Sequence, residues 1–151
     1  MNPLHIVKVS QFDRDFIETL FASADEMRDT VRPSSLQAGK ILATIFYEPS
    51  TRTRLSFESA MLRLGGQVIS TENAREFSSA IKGETVEDTI MMASGYADAI
   101  VIRHYEQGAA ARAAAVSPVP ILNAGEGRES TRPRPCSTST RSDTSSAGST
   151  T

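Results

Sequence analysis

The stretch Phe46-Tyr47-Glu48-Pro49-Ser50-Thr51-Arg52-Thr53-Arg54-Leu55-Ser56-Phe57-Glu58 sets the end of an apolar strand, a proline-bearing turn and a helix start in immediate succession. Ala43-Thr44-Ile45-Phe46 has strand composition, and Pro49 stops it. Ser50 or Thr51 can then cap a helix on which Leu55, Ala60, Met61 and Leu64 recur near helical spacing. The first N–H groups of such a helix have no carbonyl partner, the macrodipole adds partial positive charge there, and Arg52 brings a planar fork of donors. A phosphate group would fit at that turn. The pattern is not specific by itself: a Ser or Thr ahead of an amphipathic helix is commonly only a cap, and an arginine commonly only a solvated charge.

Outward from this stretch the chain alternates. Strand-like runs at 41–46, 67–71, 98–102 and 119–122 are separated by helix-like runs at 52–64, 84–97 and 107–116. Such alternation predicts an α/β fold, an open parallel sheet of about four strands flanked by helices. Gly65-Gly66 stands where a helix commonly ends. Ahead of the first strand, residues 11–31 carry Phe12, Phe16, Ile17, Leu20, Phe21, Ala24 and Met27 at spacings of three and four, which predicts an amphipathic helix facing a core and ended by Pro33. Ligands of open α/β sheets collect at the carboxyl ends of strands, where residues 50–53, Arg103 and residues 123–125 would lie.

With 151 residues, 39% hydrophobic and 23% charged, the chain is expected to form one domain with a real core, residues 1–127. Its single cysteine, Cys136, can close no internal disulfide, metal-ligand spacing is lacking, and a net charge of −2 argues against general nucleic-acid affinity. No charged-then-apolar leader and no membrane-length apolar run is read in the chain, so the expectation is a cytoplasmic protein without a membrane segment.

Phe46-Tyr47-Glu48-Pro49-Ser50-Thr51-Arg52-Thr53-Arg54 followed by Ser56-Phe57-Glu58 resembles the carbamoyl phosphate signature of the aspartate and ornithine carbamoyltransferase family, and Tyr47-Glu48-Pro49 favours the aspartate branch. Three further segments resemble the family in the same order. They are the lysine loop and following helix at residues 78–89, the strand Ala99-Ile100-Val101-Ile102-Arg103-His104, and Pro120-Ile121-Leu122-Asn123-Ala124-Gly125.

The resemblance implies transfer of a carbamoyl group from carbamoyl phosphate to L-aspartate, in pyrimidine biosynthesis, by a homotrimer that uses neither a metal nor an organic cofactor. It implies that Ser50, Thr51, Arg52 and Thr53 hold the phosphate, that Arg103 and Thr53 polarise the carbamoyl oxygen, and that Lys82 arrives from a neighbouring subunit. The catalytic set is then Arg52, Thr53 and Arg103. Each assignment has a plainer alternative: Arg103 could cap a sheet edge, Lys82 could be a solvated lysine in a polar loop, and lone His104 reads as structural. Glu48 resembles an interdomain salt-bridge partner and is expected to be idle in this chain.

Beyond Gly127 the composition breaks. Residues 128–151 are dominated by Ser and Thr with Arg128, Arg132, Arg134 and Arg141, contain almost no aliphatic side chain, and predict an irregular tail that packs no core of its own. The family's His-Pro-Thr-Gln segment and its aspartate-binding domain have no counterpart in the sequence. With one cytosine restored after the Gly127 codon, a high-GC coding of residues 127–140 reads Pro-Gly-Glu-His-Pro-Thr-Gln-Ala-Leu-Leu-Asp-Val-Tyr-Thr, the segment the resemblance implies. A frameshift is therefore one reading of the tail, which resequencing decides. The chain is expected to be inactive alone and to expose an apolar patch at Ile121 and Leu122. The alternatives are an ornithine carbamoyltransferase fragment and a non-catalytic phosphate-binding or subunit-interaction module.

Overall fold

The computed structural model describes residues 3–30, 35–72 and 84–127. A single 3-10 turn (Val9–Gln11) precedes helix α1 (Arg14–Thr30). Then follow strand β1 (Ile41–Phe46), helix α2 (Thr51–Arg63), strand β2 (Gln67–Glu72), helix α3 (Val86–Ala93), strand β3 (Ala99–His104), helix α4 (Ala109–Val116) and strand β4 (Ile121–Glu126). All four strands run parallel in the order β2-β1-β3-β4, the open α/β sheet that the alternation predicts. From β1 the chain winds outward to β2 and then crosses to β3 on the other side, so the winding reverses between β1 and β3. In open sheets that reversal leaves a crevice at the carboxyl ends of the two strands.

Strand periodicity decides which side chain meets which helix. In β1, Ala43 and Ile45 join Ile90, Ala93, Ala110 and Ala113 of α3 and α4, together with Ile100, Ile102 and Ile121 of the sheet, in the larger apolar cluster. Leu42 and Phe46 point the other way, where Val101, Phe57, Met61 and Leu122 pack beneath α2. Arg103 shares the parity of Val101, and His104 that of Ile102. One strand therefore delivers a cation to the α2 face and an imidazole to the opposite face.

Polar contacts finish the helices. Thr85 Oγ1 accepts the Asp88 N–H at 3.1 Å and the Asp88 carboxylate accepts the Thr85 N–H at 3.3 Å, a reciprocal cap on α3. Hydrogen bonds from Thr85 hold the Asp88 carboxyl below its ordinary range. Helix α4 starts after Gly108, and Glu126 on β4 accepts the N–H groups of Gly108 and Ala110, each at 2.9 Å. Helix α2 ends at Gly65 with φ 83°, the left-handed position that the Gly65-Gly66 pair predicts.

Three expectations change. Strands β3 and β4 run past the apolar runs 98–102 and 119–122, because the ladder continues through Ile102↔Asn123 and His104↔Glu126. Arg103 therefore belongs to an interior strand and caps no sheet edge. Ile121 is fully buried rather than part of an exposed patch, since the N-terminal segment lies along β4, with Ile6 N–H donating to Ile121 O at 2.7 Å and Asn123 N–H to Ile6 O at 2.8 Å. Helix α1 does not face a core along its length. Phe12 and Phe16 stack and are half-buried, but Leu20 and Phe21 are exposed, because among the described residues the sheet already carries α2 on one face and α3 and α4 on the other. No described helix is long and apolar enough to cross a membrane.

Candidate functional site

The carboxyl ends of β1 and β3 lie side by side, with Phe46 opposite Arg103 and the Tyr47 N–H donating to Arg103 O at 2.9 Å. From there residues 47–50 turn away from the sheet into α2. Ser50 takes the N-cap position with φ −153° and ψ 78°, yet its hydroxyl donates to Thr53 Oγ1 at 2.9 Å and caps no backbone amide. The first bond into the helix runs from Arg54 N–H to Ser50 O at 2.9 Å. The N–H groups of Thr51, Arg52 and Thr53 consequently have no partner among the described residues. Arg52 is exposed and makes no ion pair among those residues, and Thr53 is half-buried. Three amides, three hydroxyls and a guanidinium thus occupy one helix turn, a donor set matched to phosphate oxygens.

Arg103 stands at the same end of the sheet. Its Nη1 donates to Ala124 O at 3.0 Å, its Nη2 lies 3.6 Å from Glu48 Oε2, and its Nε is buried without a hydrogen-bond partner among the described residues. Gly125, with φ 124°, passes so close that a Cβ there would overlap Nη1. Glu48 is therefore not idle: it pairs with the arginine that the sequence reading sets at the reaction centre. The Asn123 side chain turns instead to the N-terminal segment, its Nδ2 donating to Val7 O at 3.1 Å.

Two features escape sequence reasoning, the Ala124 carbonyl and the need for glycine at 125. A glycine within the strand Ile121–Glu126 is itself a signal of close backbone approach. Glu48–Arg103 had no comparable signal, because the two residues are brought together only by strand order. Lys82 lies outside the described residues, as do residues 128–151.

On the opposite face, His104 meets Tyr47 in a tilted contact at a centroid distance of 4.4 Å and stacks with Tyr105 at 4.3 Å, and its Nδ1 accepts the Glu106 N–H at 2.9 Å. Burial holds its pKa below the ordinary 6.5, opposed by the nearby carboxylates of Glu106, Glu126 and Glu48. A cavity of about 280 Å³ opens here, bordered by Glu84, Glu87, Glu106 and Arg112. Three carboxylates against one guanidinium make it a poor home for an anion, whereas residues 50–53 carry a guanidinium and no carboxylate.

A family model described as "Aspartate/ornithine carbamoyltransferase, carbamoyl-P binding domain" matches residues 4–133. Aspartate carbamoyltransferase 3, chloroplastic, of Pisum sativum is 58% identical over 125 residues, covering 81% of this chain and 32% of that protein. The aspartate carbamoyltransferase catalytic subunit of Methanothrix thermoacetophila is 50% identical over 125 residues, with 82% and 41% covered. Among solved structures, aspartate transcarbamoylase from Trypanosoma cruzi in complex with carbamoyl aspartate and phosphate superposes with a TM-score of 0.76 at 40% identity, over 83% of this chain and 39% of that one. The M. jannaschii aspartate transcarbamoylase catalytic subunit gives 0.76 at 51% identity, over 80% and 41%. The chain spans about a third of the length of the first of these curated relatives.

Proposed function

The chain belongs to the aspartate/ornithine carbamoyltransferase family, whose carbamoyl-P binding domain model it matches over residues 4–133, and from that premise we propose that residues 50–53 and Arg103 bind carbamoyl phosphate. The observation that supports this most is the start of α2, where the amides of residues 51–53 stand unpaired beside Arg52, next to the end of β3 that carries Arg103.

In this reading the phosphate sits on the amides of Thr51, Arg52 and Thr53, with the Ser50, Thr51 and Thr53 hydroxyls and the Arg52 guanidinium around it. Arg103 and Thr53 donate to the carbamoyl oxygen. The amine nitrogen of L-aspartate attacks the carbonyl carbon, and the pair on the C=O bond moves onto oxygen, where those donors hold the developing negative charge. The pair on oxygen then re-forms the C=O bond as the C–O bond to phosphate breaks, the attacking nitrogen gives up a proton to the departing phosphate, and phosphate leaves on the helix start. Such donors are typically worth ~10²–10³ in rate each, and the remaining acceleration comes from holding the two reactants together. The reaction needs positioning and charge stabilisation, which suits a site built of amides, hydroxyls and arginines.

Residues 1–127 supply the carbamoyl phosphate half. The resemblance puts the aspartate site outside the matched segment, so these 151 residues by themselves are expected to bind without turning over. Lys82 completes the site from a neighbouring copy in a homotrimer. The names of the relatives favour aspartate over ornithine as acceptor. Pea relatives carry "chloroplastic" in their names, so the family does not prescribe a cytoplasmic location.

Isothermal titration of the 151-residue chain with carbamoyl phosphate, beside an assay for carbamoyl aspartate, tests the reading. Binding is expected, and turnover absent or very slow. A chain that folds and binds neither carbamoyl phosphate nor inorganic phosphate at millimolar concentration would overturn it.

A further inference from the structure

Helix α2 carries the candidate phosphate turn, yet none of its residues is buried. Phe57 and Met61 pack only partly against Leu42, Phe46 and Val101. Among the described residues, a polar tie from the helix to the sheet is made by Glu58, one turn below Arg54. Its Oε1 accepts the Thr44 hydroxyl at 2.9 Å and the Ser70 hydroxyl at 2.8 Å, Thr44 Oγ1 also lies 2.9 Å from Ser70 Oγ, and Arg54 Nε stands 3.8 Å from the same carboxylate oxygen. Thr44 is fully buried in β1 and faces Ser70 of β2 in the sheet register. One carboxylate oxygen thus joins α2 to two adjacent strands.

We propose that Glu58 is a positioning residue for the phosphate turn: through Thr44 and Ser70 it fixes where α2 stands along and about its axis, and so where the amides of residues 51–53 point. The physical reason is the difference between apolar and hydrogen-bonded contact. Two half-buried apolar side chains let a helix slide and roll at little cost, because burial is nearly independent of direction. Hydrogen bonds weaken steeply as distance and angle degrade, so two converging on one oxygen tolerate little movement. A carboxylate beneath a helix is costly to keep when apolar packing would seat the helix as well, and its two hydroxyl partners make geometric restraint the role that fits it. Anion binding by a helix start depends on amides aimed together, and an ångström of drift spoils it.

The inference rests on the carbamoyl phosphate reading, and its test separates the two. Glu58→Asp shortens the side chain by one methylene while keeping the charge, Glu58→Ala removes it, and Glu58→Gln keeps length and the accepting oxygen. Asp98→Asn serves as a stability control, because Asp98 anchors Lys40 and the Ile41 amide at the far end of β1 without touching α2. Glu58→Asp and Glu58→Ala are expected to weaken carbamoyl phosphate binding about ten-fold or more in the 151-residue chain, and Glu58→Gln and Asp98→Asn no more than about three-fold. The backbone amide resonances of Thr51, Arg52 and Thr53 in ligand-free protein should move in Glu58→Asp and stay in Asp98→Asn. Should Glu58→Ala not fold, Glu58→Asp carries the test. Unchanged binding and unchanged amide resonances in Glu58→Asp overturn the proposal, as does an equal loss of affinity in Asp98→Asn. If the unmodified chain binds no phosphate ligand, the functional reading fails, while the amide resonances still decide whether Glu58 positions the turn.

Discussion

The backbone of Gly125 lies so close to the guanidinium of Arg103 that a Cβ on residue 125 would overlap Arg103 Nη1. At φ 124° a non-glycine residue is also strained. Gly125→Ala should cost about 1–3 kcal/mol from the backbone alone and should push the guanidinium off the Ala124 carbonyl. Urea denaturation and carbamoyl phosphate titration are both expected to register the change. A variant as stable and as tight-binding as the unmodified chain would show that residue 125 does not shape the position of Arg103.

Glu48 sits 3.6 Å from Arg103 Nη2, and both side chains are partly exposed. An ion pair so placed adds only ~0–1 kcal/mol to stability, while it occupies and neutralises a donor of the proposed carbamoyl phosphate site. Glu48→Gln should leave the unfolding midpoint nearly unchanged and tighten carbamoyl phosphate binding about two- to five-fold at low salt, with the gain shrinking as salt screens the site. Weaker binding in the variant would mean that Glu48 orients Arg103 rather than competing for it.

Arg52 is exposed without an ion pair among the described residues, so its guanidinium is available to an incoming anion. A charge-assisted pair is worth ~1.5–3 kcal/mol, and Arg52→Ala should therefore lower phosphate-ligand affinity by about one to two decades. Lys82→Ala should matter only where copies of the chain assemble. Equal losses from the two substitutions in a chain shown to be monomeric by sedimentation would contradict the cross-subunit role of Lys82.

Burial lowers the pKa of His104 below the ordinary 6.5. The unfolded chain therefore takes up a proton at a higher pH than the folded one. Stability contributed by the neutral imidazole is fully present above 6.5 and is lost as pH falls through the folded value. Urea midpoints measured from pH 7.5 downward to about 5 should decline, and the part of that decline that begins near 6.5 should vanish in His104→Gln. The carboxylates of Glu106, Glu126 and Glu48 oppose the shift, so a variant retaining the full slope would show that they cancel the effect of burial.

Glu126 receives two amides at the start of α4. Glu126→Ala leaves those N–H groups without an acceptor and should destabilise the fold by ~1–2 kcal/mol. Calorimetry would read this as a melting temperature lower by several degrees. An unchanged melting temperature would mean that water caps the helix equally well.

How much of this was legible in the residues divides along physical lines. Elements with strong periodicity could be read: residues 41–46 as a strand, residues 52–64 as a helix, observed at Thr51–Arg63, and the alternation that makes the sheet parallel. The helix start at residues 50–53 could be read too, because the cap residue, the first N–H groups and an adjacent arginine are consecutive in the chain. Strand ends were misjudged where the ladder of β3 and β4 continues through Arg103 and Asn123, since backbone pairing needs a neighbour and not an apolar side chain. The burial of α1 was overestimated for the same reason in reverse: an apolar stripe says that a helix can be covered, not that a partner is present.

The sequence by itself determined which segments become strands and helices, the capping of α3 by Thr85, the left-handed helix end at Gly65, and the donor set at residues 50–53. All of these depend on interactions within a few residues of one another. Only the tertiary structure decided that Arg103 meets Glu48, Ala124 and Gly125, that Glu58 ties α2 to Thr44 and Ser70, and that the N-terminal segment covers Ile121. Those contacts follow from the strand order β2-β1-β3-β4 and its register. Strand order is set by the packing of whole faces against one another, a sum over distant residues that no local pattern carries.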